Sequence, residues 1–328
     1  MKILIIKLSS IGDLFHALPT VHNLKVELSA EVHWVTQKEN AKLVECFDDV
    51  SKVILFPRKE TFKGFKQFVK ELRAEEYDYI IDLQGLMKSA FVARFAKGKN
   101  RIGPSFQREG AFLFYNSVAG KRNKNRHAVE ECYDVVDFLK LNRIEPTYNI
   151  TFPKYGLPES SSPKVAIAPV SRWETKNWNP EQFAETAKIL IEKLNASIFL
   201  IGAPDDKDVC DKINGLLDGR AINLAGKTFL TESGSVLEQM DVLLSNDSGP
   251  VHIACAINLR NYVIFGPTSP LRTGPFGDNN FVFQVDLDCV PCYKRTCKFG
   301  DKRCMIAITP EVVADKILAD LKDSLQND

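Results

Sequence analysis

The chain of 328 residues is long enough for one large domain or two of ordinary size. Hydrophobic residues make up 45% and charged residues 26%, as in globular proteins, and a formal net charge of +1 excludes a global electrostatic pull toward nucleic acid. No stretch reaches the about 18 uninterrupted apolar residues of a membrane span, and the short apolar start, broken by Lys7, carries no signal-peptide cleavage pattern. The expected location is the cytoplasm, with contact to a membrane surface but no crossing. Eight cysteines in such a chain point to thiols or metal ligands rather than disulfides.

Short apolar runs alternate with longer amphipathic stretches. Residues 2–6, 31–36, 52–56 and 77–83 read as strands, and 13–26, 39–46, 61–75 and 86–97 as the helices between them. A further helix fits 126–139. The segment 150–169, rich in Pro, Ser and Gly, marks a boundary and gives domains 1–158 and 159–328. The alternation then restarts, with strands at 164–169, 197–204, 221–226, 242–247 and 261–267. Helices fit 180–194, 205–217, 231–240, 250–257 and, last, 310–325. Repeated strand–helix units predict an α/β protein with a parallel sheet in each half, covered on both faces.

In open parallel sheets ligands bind beyond the carboxyl ends of the strands. Asp13 follows the first strand and should point into such a crevice. Ser9 or Ser10 can cap the helix, and a helix start favours negative charge by about 0.3–1 kcal/mol. Asp13 is then either a base that accepts a proton from an attacking hydroxyl or an acid that only complements the helix dipole. Asp82, Gln84 and Lys88 end another strand and either line the same crevice or, for Asp82, bind neighbouring loops.

From Lys88 to Arg126 ten Lys and Arg stand against one acid, Glu109, in a chain whose net charge is only +1. Phe91, Phe95, Phe106, Phe112, Phe114 and Tyr115 are interleaved, so a loop with basic and apolar faces suits an anionic lipid surface; the alternative is a solvated basic face. No nucleic-acid motif accompanies it. Phe62, Phe65, Val69 and Leu72 form a stripe on the 61–75 helix that faces either the core or a membrane. His127, near a helix start, is either a substrate contact or structural.

In the second half Ser171, Thr175 and Lys176 sit on a loop between a strand and a helix that opens with Pro180. A hydroxyl and an ammonium beside a helix start suit a diphosphate. The stretch SNDSGPVHIACA (245–256) is the most distinctive: a strand ends at Asn246, Asp247, Ser248 and Gly249 turn, Pro250 opens a helix, and His252 lies in its first turn. That turn is an anion site, and FGPTSP (265–270) can close the pocket. Near the C-terminus Cys289, Cys292, Cys297 and Cys304 form a cluster. Four thiolates make a closed tetrahedral zinc site, though the later gaps are loose for a zinc ribbon; reduced thiols or a redox-sensitive pair is the alternative.

SSIGDLFHALP, YDYIIDLQGLMKSA, RHAVE, TKNW and NDSGPVHIACA, in that order over nearly the whole chain, resemble the heptosyltransferases of glycosyltransferase family 9, which build the lipopolysaccharide core. The resemblance implies the GT-B architecture, two Rossmann-like domains facing across a cleft, with the acceptor mainly on the first and the nucleotide-sugar mainly on the second. In the family the last helix commonly crosses back to the first domain, a place 310–325 would take. It implies inverting, metal-independent transfer of a heptose from ADP-heptose to the Kdo region of lipid A at the inner face of the inner membrane. Asp13 is then the general base. Ser171, Thr175 and Lys176 contact the diphosphate, Asp247 binds the heptose, and Ser248, Gly249 and His252 share that donor loop. Lys88, Arg94, Arg101, Arg122 and His127 are expected to meet the anionic acceptor. The cysteine cluster occurs in only some members and has no role that the resemblance supplies.

Other readings stay open at this stage: a family member with another donor or a later core acceptor, a GT-B nucleotide-sugar epimerase, or a binding protein centred on the cysteines. No G-x-G-x-x-G follows any predicted strand, which speaks against an NAD oxidoreductase.

Overall fold

The computed structural model describes residues 1–58, 62–160 and 163–327, without the side chains of 62, 63 and 323–327. Phe62 of the predicted stripe and Ser161 and Ser162 of the predicted boundary therefore lie outside the described residues. The chain divides into two units, Met1–Thr151 and Phe152–Asp328.

The first unit runs β1 (Lys2–Ile6), α1 (Ile11–Leu28), β2 (Glu31–Gln37), α2 (Ala41–Val44), β3 (Lys52–Phe56), α3 (Phe62–Leu72), β4 (Tyr77–Asp82), α4 (Met87–Phe95), β5 (Gly98–Pro104), β6 (Ser117–Ala119) and α5 (Ala128–Phe138). Its six strands form one sheet in the order β3-β2-β1-β4-β5-β6, and every pairing is parallel. Strand β1 is central and apolar on both faces, with Ile3, Leu4, Ile5 and Ile6 all buried, as a doubly covered parallel strand requires.

The second unit runs β7 (Lys164–Ala168), α6 (Pro180–Leu194), β8 (Ser197–Leu200), α7 (Lys207–Leu216), β9 (Ile222–Asn223), α8 (Leu230–Leu237), β10 (Val242–Asn246), α9 (Gly249–Ala256), β11 (Arg260–Ile264), α10 (Pro270–Thr273), β12 (Asn280–Phe283), α11 (Arg303–Ile306) and α12 (Pro310–Asn327). Its sheet order is β12-β11-β10-β7-β8-β9, again all parallel. Counted from its own first strand, each sheet has the order 3-2-1-4-5-6 of doubly wound nucleotide-binding domains. Val313, Ile317, Leu318 and Leu321 of α12 are buried in the core of the second unit, together with Phe183 and Leu190 of α6.

The basic segment 88–126 is not a loop, as the charge pattern suggested. It holds most of α4, all of β5 and β6, and a 3-10 turn at Ala111–Phe114. Its polarity reflects exposed positions of outer sheet elements. On α3 the buried residues, among the described side chains, are Phe68 and Leu72; Val69 packs half-buried against the same core and Phe65 is exposed, so the predicted stripe faces the core through Val69 and Leu72, and Phe68 joins them. No helix among the described residues is long and apolar enough to cross a membrane.

Candidate active site

In a 3-2-1-4-5-6 sheet the first and fourth strands diverge into their connections on opposite faces, and a crevice opens at their carboxyl ends. In the first unit those strands are β1 and β4; Asp13 lies past the end of β1 and Asp82 is the last residue of β4. Asp13 is the third residue of α1. Its Oδ2 accepts the backbone N–H and the hydroxyl of Ser10, each at 2.8 Å. Ser10 is thus the N-cap residue, but its hydroxyl donates to Asp13 rather than accepting from the helix. Asp13 Oδ1 accepts no hydrogen bond among the described residues, and the side chain is half-buried.

The loop that carries Ser9 and Ser10 is held from β4. Gln84 Oε1 accepts the N–H of Leu8 at 2.9 Å and of Ser9 at 3.1 Å. Lys7 Nζ donates to the Leu83 carbonyl. Asp82 Oδ1 takes the N–H groups of Gln84 and Gly85, and its Oδ2 takes the Tyr115 hydroxyl at 2.6 Å. Burial raises the Asp82 carboxyl above the usual carboxylate range, against the pull of these donors. Burial likewise raises the Tyr115 hydroxyl. Gly103 makes room for that tyrosine, since a Cβ there would lie 2.0 Å from the ring. Asp82 therefore binds neighbouring loops, the second of the two roles open to it.

Of the basic residues, Lys88 and Arg94 lie exposed on α4, and Arg101 on β5 reaches α4 by donating Nε to the Ala93 carbonyl at 3.1 Å. Exposed apolar side chains lie on the same helix and on the 3-10 turn packed against it: Phe91, 44% exposed, packs on Phe114 at 4.7 Å, and Phe112 and Leu113 of that turn are 52% and 71% exposed. Arg122 is exposed on the loop after β6. Arg126 is spent on Asp134 at 2.8 Å. His127 is the N-cap of α5, its Nδ1 accepting the Val129 N–H, and its ring meets His16 edge-on at 5.3 Å.

In the second unit the diverging strands are β7 and β10, and the loops after them carry the predicted donor residues. Lys176 Nζ is 2.5 Å from Asp247 Oδ2, which also accepts the Thr268 hydroxyl at 2.7 Å. The ammonium also lies over the Trp173 ring at 4.9 Å. Asn246 ties the two loops together, accepting the Trp178 N–H and donating to the Pro169 carbonyl. Trp178 in turn anchors the first loop, its indole buried against Phe183 and its Nε1 bonded to the Ile308 carbonyl. Ser171 is held by Asn177 and Trp173, and the Thr175 hydroxyl donates to the Lys294 carbonyl at 2.8 Å.

Ser248 is the N-cap of α9, and its buried hydroxyl has no hydrogen-bond partner among the described residues. Gly249 and His252 follow in the first turn. The arrangement offers a cation, an unspent hydroxyl and a helix start to an anion, with Asp247 beside them. Sequence reasoning named Gln84, Tyr115 and Asn246 but not the bonds they make here, which join residues far apart in the chain.

All eight cysteines are free. Cys289, Cys292, Cys297 and Cys304 line one cavity of about 470 Å³, which Thr175 also borders. Among the described residues no group of three or more His, Cys, Asp or Glu is spaced to hold a metal ion.

Each unit has the doubly wound sheet of a nucleotide-binding domain, one with a carboxylate and the other with an anion-binding loop at its diverging strands, which is the two-domain composition of the GT-B class. The comparisons with known proteins agree. The model of glycosyltransferase family 9 (heptosyltransferase) matches residues 65–303. Lipopolysaccharide heptosyltransferase 1 of Escherichia coli K12 is 28% identical, over 87% of this chain and 94% of its own. Lipooligosaccharide heptosyltransferase 2 of Haemophilus influenzae is 25% identical over 97% of this chain and 98% of its own. The solved structure of E. coli heptosyltransferase WaaC with ADP-2-deoxy-2-fluoro heptose superposes with a TM-score of 0.79 at 25% identity, covering 98% of this chain and all of that one. This chain belongs to glycosyltransferase family 9, the heptosyltransferases.

Proposed function

We propose that the protein transfers a heptose from ADP-heptose to the Kdo region of lipid A, with inversion, at the cytoplasmic face of the inner membrane. The observation that carries this reading is Asp13: one oxygen is fixed by Ser10 while the other accepts no hydrogen bond among the described residues. The acceptor hydroxyl attacks the anomeric carbon, the bond from that carbon to the diphosphate oxygen breaks, and ADP leaves. Asp13 Oδ1 takes the hydroxyl proton, a role worth about 10²–10⁴-fold in rate. Lys176 shifts from Asp247 toward the leaving diphosphate and offsets its developing charge, with Ser171, Thr175, Ser248, Gly249 and His252 around it. Asp247, released, binds heptose hydroxyls. This displacement is assigned to protein groups, without a metal ion.

Support for the donor comes from the relative solved with an ADP-heptose analogue. Support for an anionic lipid acceptor comes from α4 and its neighbours, where Lys88 and Arg94 share the helix with exposed Phe91, Arg101 bonds to it from β5, and the 3-10 turn packed on it exposes Phe112 and Leu113. Arg122 and His127 belong to the same acceptor assignment. Similarity to enzymes named both heptosyltransferase 1 and 2 keeps a later core acceptor as the second reading. The deciding experiment is ADP release from ADP-heptose with Kdo-lipid A, with a heptosylated core, and with neither. Release that requires Kdo-lipid A is expected. Release only with the heptosylated core would establish the second reading, and isomerisation of ADP-heptose with neither acceptor, without ADP release, would overturn transfer.

A further inference from the structure

Three consecutive residues of the loop after β7 meet the segment that follows β12. The Arg295 guanidinium lies 5.1 Å from the centre of the Trp173 ring, Lys302 pairs with Glu174 at 2.7 Å, and the Thr175 hydroxyl donates to the Lys294 carbonyl at 2.8 Å. The Tyr293 N–H donates to the carbonyl of Pro267, in the loop after β11, at 2.8 Å. That same loop supplies the Thr268 hydroxyl to Asp247. The chain from 284 to 302 contains neither helix nor strand. Hydrogen bonds at the backbone of residues 293 and 294, to two loops around Lys176 and Asp247, therefore decide where Arg295 stands.

Trp173 also carries Lys176, whose ammonium lies 4.9 Å from the same ring centre. An indole face attracts cations more strongly than other aromatic rings do. The two cations differ in what neutralises them. Lys176 is paired with Asp247, whereas Arg295 is exposed and makes no ion pair among the described residues. The Lys176–Asp247 pair has no net charge, and moving its ammonium onto a phosphate does not change that total. A diphosphate gains negative charge when its bond to a sugar breaks, and fixed positive groups at that place stabilise the transition state. A guanidinium suits the task, because its planar fork meets two phosphate oxygens at once.

We propose that Arg295 is a second cationic ligand of the donor diphosphate and supplies the net positive charge that the Lys176–Asp247 pair lacks. The inference rests on reading these loops as the nucleotide-sugar site. The backbone stays tied at residues 293 and 294 while the guanidinium turns from Trp173 to the phosphate oxygens. As the bond to the anomeric carbon breaks, its electron pair goes to the diphosphate oxygen, and Arg295 and Lys176 share the charge that develops there.

The test is calorimetric titration of the full chain with ADP. Wild-type protein should bind ADP, and Arg295→Gln should bind it about 10- to 100-fold more weakly, the worth of charge-assisted hydrogen bonds to phosphate. Arg295→Lys, which keeps the charge and loses the fork, should fall between them. Lys298→Gln removes the same charge from the same segment, at a residue whose ammonium lies over Phe299 instead of Trp173, and should stay within about twofold of wild type. Thermal unfolding of the Arg295 variants should match wild type, because the side chain is exposed. Wild-type affinity in Arg295→Gln overturns the inference and leaves the donor site standing. An equal loss in Lys298→Gln overturns it too, because the effect would then belong to the charge of the segment and not to Arg295. Wild-type protein that binds no ADP overturns the donor reading and this inference with it.

Discussion

Ser10 gives two hydrogen bonds, from backbone N–H and hydroxyl, to the same oxygen of Asp13. The pairing fixes the rotation of the carboxylate while leaving its second oxygen to act. Removing the hydroxyl leaves the backbone bond in place, so Ser10→Ala should loosen the base without abolishing it. A hydrogen bond to a charged group contributes about 1.5–3 kcal/mol. We expect kcat to fall by about tenfold, with donor affinity unchanged in calorimetry; a variant that loses donor binding instead would place Ser10 in a different role.

Lys176 makes its ion pair with Asp247 in the loop pair that Asn246 ties together. If the ammonium serves the diphosphate, Lys176→Met should raise the ADP-heptose KM by roughly one to two orders of magnitude, the worth of one charge-assisted hydrogen bond. The acceptor KM should stay within about twofold of wild type. Initial-rate kinetics with each substrate varied in turn separates these effects, and a rise confined to the acceptor KM contradicts the assignment.

Asp82 supplies a pH prediction. Burial raises its carboxyl in the folded state above the unfolded value of about 3.9. Below that value both states carry the proton, and the site contributes no pH dependence. As pH rises toward the folded-state value the unfolded chain ionises first, and the native state loses ground. Asn does not titrate and can still accept from Gln84 and Gly85. The stability of Asp82→Asn relative to wild type should therefore increase with pH above about 4 and then level off. Urea unfolding of both proteins across that range tests it, and a difference that falls with pH contradicts it.

On the α4 surface the cations and the exposed rings should act on different observables. Phe112→Ser with Leu113→Ser should weaken binding to anionic vesicles, with little change in thermal stability because both side chains are largely exposed. Charge reversal at Arg94 and Arg101 should raise the KM for Kdo-lipid A more than that for ADP-heptose. Vesicle co-sedimentation and two-substrate kinetics check the two halves; unchanged sedimentation of the first variant would remove the surface from the account.

How much of this was legible in the sequence depended on how locally each feature is encoded. The strands at the carboxyl ends of which Asp13 and Asp247 stand are apolar runs broken by polar turns, and the order of such runs points to the crevice. Strand β5 left little trace because Ile102 is its only bulky apolar residue, so its charge drew attention instead of its place in the sheet. The spacing of α3 identified a helix and, in Val69 and Leu72, part of its buried face, but missed Phe68. The support of the Asp13 loop by Gln84 spans 76 positions and that of Asp82 by Tyr115 spans 33, distances over which no periodicity speaks. The donor loop read well because its turn, proline and helix start are contiguous.

The most direct test of the account is single-turnover transfer by Asp13→Asn, paired with calorimetric donor binding. The account predicts ADP-heptose affinity within about twofold of wild type and a transfer rate lower by about 10²–10⁴-fold, the usual contribution of a general base. A transfer rate close to wild type in a folded, donor-binding Asp13→Asn protein would contradict it.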